Sequence, residues 1–263
     1  VKYTLILVFL IALSIRILFS LIHSPFVSFD SKEYYYNSQG LTVMPEAQAR
    51  FGYSNWYERT PVYTLFLHLT YQSLIIQMVL SAIGVVLMWK LNALAGLIWC
   101  FYIPDILHSS TYWKTSLLCF LIIGMVTLIK DKRILFVSIL VLMLGFISYG
   151  SVIDYNIGMS KGFMANVFEM WKPSWAIYSS WIFAIPQALF LLYFIRNVEL
   201  RSFEVAIVLT FTIIYGFIYA HTLMREPLMP ILILWFADRV TIPQDIQLKE
   251  NYVNWCNNNL VRG

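Results

Sequence analysis

Long apolar runs set the limits on what this chain can fold into. They cover approximately residues 3–24, 61–89, 91–107, 111–129, 134–150, 174–195, 203–221 and 227–239, and a helix needs about 20 such residues to cross the ~30 Å hydrocarbon layer of a bilayer. Inside that layer backbone groups must bond to one another, so runs of this length specify helices. The expected fold is all-α, a polytopic membrane protein with about eight transmembrane helices. The run at 61–89 is too long for one simple crossing, and Tyr71-Gln72-Ser73 is the expected break between a short interfacial helix and a span. The third and last runs are short, which allows a count of seven. Composition agrees: 60% of the residues are hydrophobic and 12% charged, about half the charge of a water-soluble domain.

The expected organisation is a single transmembrane unit over residues 1–240, with a helical outer loop at 25–60 and a polar, Asn-rich tail at 241–263. The run after Lys2 is longer than the apolar core of a secretory signal, and Ser24-Pro25-Phe26 offers no small-x-small cleavage site, so it reads as a retained first span. Cysteine carries no message: Cys100, Cys119 and Cys256 form no C-x-x-C pair.

Charge orders the loops. Assigning alternate loops to opposite sides puts ten of the 18 basic residues on the side of the N-terminus, among them Lys90, Lys130, Lys132, Arg133, Arg196, Arg201 and Arg239. Short basic loops mark the cytoplasm, and the Lys130-Asp131-Lys132-Arg133 turn is the clearest of them. Both termini are expected to be cytoplasmic. The net charge of +4 then reports topology, and nucleic-acid binding is not expected. Eight of the 14 acidic residues fall on the other side, which makes the outer face the place for chemistry.

The loop at 25–60 is the most informative segment. It carries Asp30-Ser31-Lys32-Glu33-Tyr34-Tyr35-Tyr36, then Arg50, then Trp56-Tyr57-Glu58-Arg59 before Pro61-Val62-Tyr63. The aromatic residues alone fit an interfacial belt. The carboxylates ask for more, because Asp30 follows the first span by a few residues, where a charge needs a partner or a purpose. In a helix beginning near Ser28 or Ser31, Asp30 and Glu33 lie three residues apart on one side; the plain alternative is a helix N-terminal charge that only favours the dipole.

These residues resemble the integral-membrane GT-C glycosyltransferases that use lipid-linked sugars, in particular the protein-mannosyltransferase and aminoarabinose-transferase branch. The resemblance lies in an outer-loop Asp30 soon after the first span, a Tyr-rich segment, and Arg59-x-Pro61-x-Tyr63 opening the next run. Arg225-Glu226-Pro227-Leu228-Met229-Pro230 is similar to that superfamily's late outer-face segment, and Ile103-Pro104-Asp105 with Tyr112-Trp113-Lys114 to its return to the outer face. It covers residues 1–129 and 221–240; between them only hydropathy speaks. Relatives of this type are commonly longer.

The resemblance implies an inverting transfer of a sugar from a polyprenyl-phosphate donor to an acceptor hydroxyl of a glycan, lipid or protein, at the outer face of a cell (inner) membrane. Asp30 is implied as general base. Arg59, Arg225 and Lys114 are implied as holders of the donor phosphate, since arginine's planar fork suits its oxygens. Glu33, Tyr34, Glu58, Tyr63, Asp105 and His221 are implied around the substrates. Snorkelling or pairing with Glu58 and Glu226 are the plain alternatives for Arg59 and Arg225. For Asp105 the plain alternative is an ordinary span terminus after Pro104, and lone histidines such as His108 and His221 are usually just packed.

Arg16 sits within the first apolar run, where a central charge costs about 2.5–3.5 kcal/mol. It either snorkels or meets a lipid phosphate or a buried acid. No cofactor is expected, although a divalent metal between Asp30 and Asp105 is compatible with the branch. A separate donor synthase and flippase are implied partners, besides membrane lipids. Rival classes are a carrier or flippase of lipid-linked sugars, which needs no base, a polysaccharide polymerase or ligase, and a structural subunit.

Overall fold

The computed structural model describes residues 2–26, 28–52, 55, 61–130, 162–165, 167, 189, 192–196, 208, 212 and 228–241. Among these the protein is mostly helical and contains no strand. The run expected at 134–150, most of those at 174–195 and 203–221, and the tail after Thr241 lie outside the described residues.

Helix α1, Lys2–Ile22, and helix α5, Leu74–Leu91, are each long and apolar enough to cross a membrane. At 1.5 Å per residue they are about 31 and 27 Å long. Only Val8, Ala12 and Arg16 of α1 are buried, a stripe at four-residue spacing. This stripe faces α5, where Ala82, Val85 and Met88 join Val8 and Ala12 in the main apolar cluster. Phe9, Leu13 and Ile15 flank this stripe, partly buried, while Ile6, Leu10, Ile17, Leu18 and Leu21 point outward, as lipid contact would require.

Between these two spans lie α2 (Phe29–Gly40), α3 (Pro45–Phe51) and α4 (Pro61–Leu69). The long run at 61–89 is divided at the expected place. Tyr71 and Gln72 take left-handed backbone angles, φ 52° and 54°, and Gln72 N–H closes the end of α4 on Leu67 O at 2.7 Å. Both are non-glycine residues, so the corner carries strain that packing must hold.

The run at 91–107 departs from expectation, because it is two short helices rather than one span: α6, Ala93–Cys100, and α7, Ile103–Ser109. Asn92 starts α6 by accepting from the Leu94 and Ala95 N–H groups, and its amide donates to Asp238 Oδ1 at 2.9 Å. The second start is set by Pro104 in the first turn of α7, where a missing N–H costs nothing and where an unbroken helix from 93 would lose a bond and clash. Helix α8, Lys114–Lys130, then turns away from α7 by 116°, so the two form a broken span or a re-entrant loop. Helix α9, Met229–Thr241, is buried all round at Ile231, Leu232, Ile233 and Leu234, so its apolar surface is satisfied by α5, α6 and α8 rather than by lipid.

Candidate functional site

A column of polar side chains runs through this apolar bundle, and it begins at Arg16. The guanidinium is fully buried. Its Nη2 donates to Asp105 Oδ2 at 2.6 Å, its Nε to Ser81 Oγ at 2.6 Å and its Nη1 to the Ala12 carbonyl at 3.0 Å. Ser81 donates its own hydroxyl hydrogen bond to the same Asp105 oxygen, again at 2.6 Å. Arg16 does not snorkel; it has met the buried acid. Asp105 occupies the first turn of α7, in the core, as the internal counter-charge of Arg16.

Ser81 and Gln77 are one turn apart on α5, and the column continues through Gln77. Its amide nitrogen donates to the carbonyls of His108 and Thr111, both at 2.7 Å, while its oxygen accepts the Tyr63 hydroxyl at 2.9 Å. Tyr63, on α4 and outside the spanning helices, is buried. That burial, with Tyr34 and Tyr112 nearby, pushes its phenol well above the ordinary tyrosine range, so it remains a donor. Its ring meets Tyr34 of α2 edge to face, centroids 5.2 Å apart. Tyr112 ties the end of the bundle together: its N–H donates to Pro25 O at 3.2 Å and its hydroxyl to Gln72 O at 3.1 Å. The C-terminal end of α1 and the N-terminal end of α5 therefore lie side by side, and Arg16 and Ser81 both sit about 10 Å in from that end.

Helix α2 is the polar lid of this column. Ser28 caps it by accepting from Ser31 N–H at 3.2 Å. Its buried residues are Ser31, Glu33, Tyr34, Asn37 and Ser38, a face made mostly of polar groups. Asn37 Oδ1 accepts from Met44 N–H at 2.8 Å, which turns the chain into α3. The Ser38 carbonyl accepts from Gln72 Nε2 at 3.2 Å and meets His68 Nδ1 at 2.8 Å, which pins α2 to the α4–α5 corner. Asp30, partly buried in the first turn, shares the stripe of Glu33 and Asn37 at helical spacing. The pattern expected for Asp30 and Glu33 is thus realised, and so is a favourable charge at a helix start.

Of the residues singled out from sequence, Glu33, Tyr34, Tyr63 and Asp105 belong to the column or its lid. Lys114 opens α8 and is buried. Arg59, Glu58, Arg225 and His221 lie outside the described residues. Sequence reasoning missed Ser81 and Gln77. The signal was two hydrogen-bonding side chains spaced i, i+4 inside an otherwise apolar span, a spacing that places both on one face.

On the opposite face of α2, towards α3, a cleft of about 450 Å³ is lined by Phe26, Lys32, Tyr35, Tyr36, Gln39 and Glu46, together with Met44 and Pro45. Phe26, Tyr35 and Tyr112 pack as an aromatic cluster with centroids 4.9–5.4 Å apart. The helical rotation separates this cleft from Asp30 and Glu33. No family model, curated protein or solved structure matches this chain.

Proposed function

We propose that this chain is an inverting membrane glycosyltransferase of the GT-C type, which moves a sugar from a polyprenyl-phosphate donor to an acceptor hydroxyl at the outer face of the membrane. The observation that carries the reading is the stripe of Asp30, Glu33 and Asn37 on α2, a polar helix that directly follows the first span and lays this stripe against the bundle. A solvated connecting loop has no need to bury Glu33 and Asn37, since burial of such groups is costly unless they are satisfied.

In this reading the acceptor hydroxyl gives its proton to the Asp30 carboxylate as its oxygen bonds to the anomeric carbon. The bond from that carbon to the donor phosphate breaks, and its electron pair leaves with the lipid phosphate. The displacement is single, so configuration inverts. Arg59 and Arg225 neutralise the departing phosphate through paired charge-assisted bonds, with Lys114 in support. Glu33, Tyr34 and Tyr63 form the wall beneath the base. The buried Arg16–Asp105 pair takes a positioning role: it holds α7 against α1 and α5 and thereby supports Tyr63 through Gln77. Both termini face the cytoplasm, and a donor synthase and a flippase supply the lipid-linked sugar.

The test supplies labelled polyprenyl-phosphate sugars to the purified full chain and identifies any glycosylated glycan, lipid or protein. Transfer should appear with the intact chain and vanish with Asp30→Asn while donor binding persists. Undiminished transfer by that variant removes Asp30 as the base.

A further inference from the structure

The cleft between α2 and α3 has features that the transfer chemistry does not use. Two opposite charges line it, Lys32 and Glu46. Among the described residues neither has an ion-pair or hydrogen-bonding partner, and the cleft's charges are not joined to each other. Both side chains are exposed, so each is available to one end of a ligand that itself carries two opposite charges. Among the described residues, the rings of Phe26, Tyr35 and Tyr36 also line it. Aromatic faces attract an ammonium group, the more so when partly shielded from water. A volume of about 450 Å³ is in the range of small-molecule sites.

Position narrows the ligand further. Phe26 follows by four residues the end of α1 at Ile22, and α1 is long enough to cross a bilayer. The cleft therefore opens where lipid headgroups lie, the level that aromatic side chains favour. A net-anionic headgroup would meet Glu46 unfavourably, and an uncharged ligand would leave both charges unused.

We propose that this cleft binds the phosphate–ammonium headgroup of a zwitterionic phospholipid, with Lys32 on the phosphate and Glu46 and the Tyr36 ring on the ammonium. The proposal stands apart from the transferase reading, which assigns none of these residues. Its test is a lipid titration of the purified full chain followed by native mass spectrometry, using phosphatidylethanolamine and phosphatidylglycerol with identical acyl chains. The intact chain should bind phosphatidylethanolamine about tenfold more tightly, the scale of one well-placed ionic or cation–π contact. Glu46→Gln should abolish that preference while phosphatidylglycerol still binds, because Lys32 remains. Lys32→Gln should weaken both lipids, and Tyr36→Ala should weaken phosphatidylethanolamine alone. All three positions are exposed, and an unchanged thermal transition confirms that the variants fold. Equal affinity for the two lipids in the intact chain, or an unaltered preference in Glu46→Gln, overturns the proposal. Free glycerophosphoethanolamine binding as tightly as the lipid overturns the membrane source.

Discussion

Arg16 of α1 and Asp105 of α7 are joined at 2.6 Å across 89 positions of sequence, with both side chains almost wholly removed from solvent. Ser81 bonds to each of them, so three helices share one ionic knot. Removal of one partner from a buried pair leaves an uncompensated charge and costs about 3–5 kcal/mol, whereas replacement of both by apolar groups is often close to neutral. Arg16→Met and Asp105→Leu should each lower stability by that order. The double variant should recover most of the loss, as read by denaturant titration of the purified protein in detergent.

Gln77 supplies two donors and one acceptor to three groups in the core. Gln77→Leu strands two carbonyls and a tyrosine hydroxyl, and should cost about 1–3 kcal/mol. Gln77→Glu should cost more at neutral pH, because a carboxylate turns acceptor oxygens on the His108 and Thr111 carbonyls. The same unfolding titration ranks the two variants, and the reverse order would show that the amide donors contribute little.

Gly96 and Gly124 should respond to alanine in opposite directions. A Cβ at Gly96 would stand 2.5 Å from Trp89 Cα and 2.6 Å from its backbone nitrogen, atoms that move only with the α5–α6 hairpin. Gly96→Ala should therefore destabilise by about 1–3 kcal/mol. At Gly124 no atom of the described residues lies within 4 Å of the added carbon, and alanine favours a helix interior by up to about 1 kcal/mol. Thermal transitions of the two single variants separate these cases.

Asp30→Asn should reduce sugar transfer by about 10²–10⁴-fold, the usual contribution of a positioned general base. Its effect on stability should be at most about 1 kcal/mol, the value of one charge near a helix start. Parallel measurement of transfer and unfolding separates the two roles, and a stability loss that accounts for all of the lost activity would reduce Asp30 to a helix-start charge.

Much of the scaffold is legible from sequence because the controlling residues act locally. The Tyr71-Gln72-Ser73 break is the clearest case, polar groups interrupting an apolar run too long for one crossing; the cap at Asn92 and the stripe of Val8, Ala12 and Arg16, neither of them singled out from sequence, are also local patterns. The split of 91–107 was harder to read, since Phe101-Tyr102 is as apolar as its neighbours and only Pro104 marks the second start. Helix α2 itself was expected, but its burial was not. Its composition reads as a polar loop, yet Glu33, Asn37 and Ser38 are buried, with Asn37 turned onto the Met44 N–H and the Ser38 carbonyl onto His68 and Gln72. Partner identity is a tertiary fact: nothing near Arg16 in sequence points to a carboxylate 89 residues away.

That separation has a consequence for the order of assembly. At a synthesis rate of ~5–20 residues per second, Asp105 follows Arg16 from the ribosome by roughly 4–18 s. During that interval the guanidinium has no counter-charge from α7, and of its partners on other helices only Ser81 of α5 can already be in reach. The knot cannot close around α1 until α7 arrives, so the later-made partner sets the moment at which the earlier-made helix becomes committed to its place.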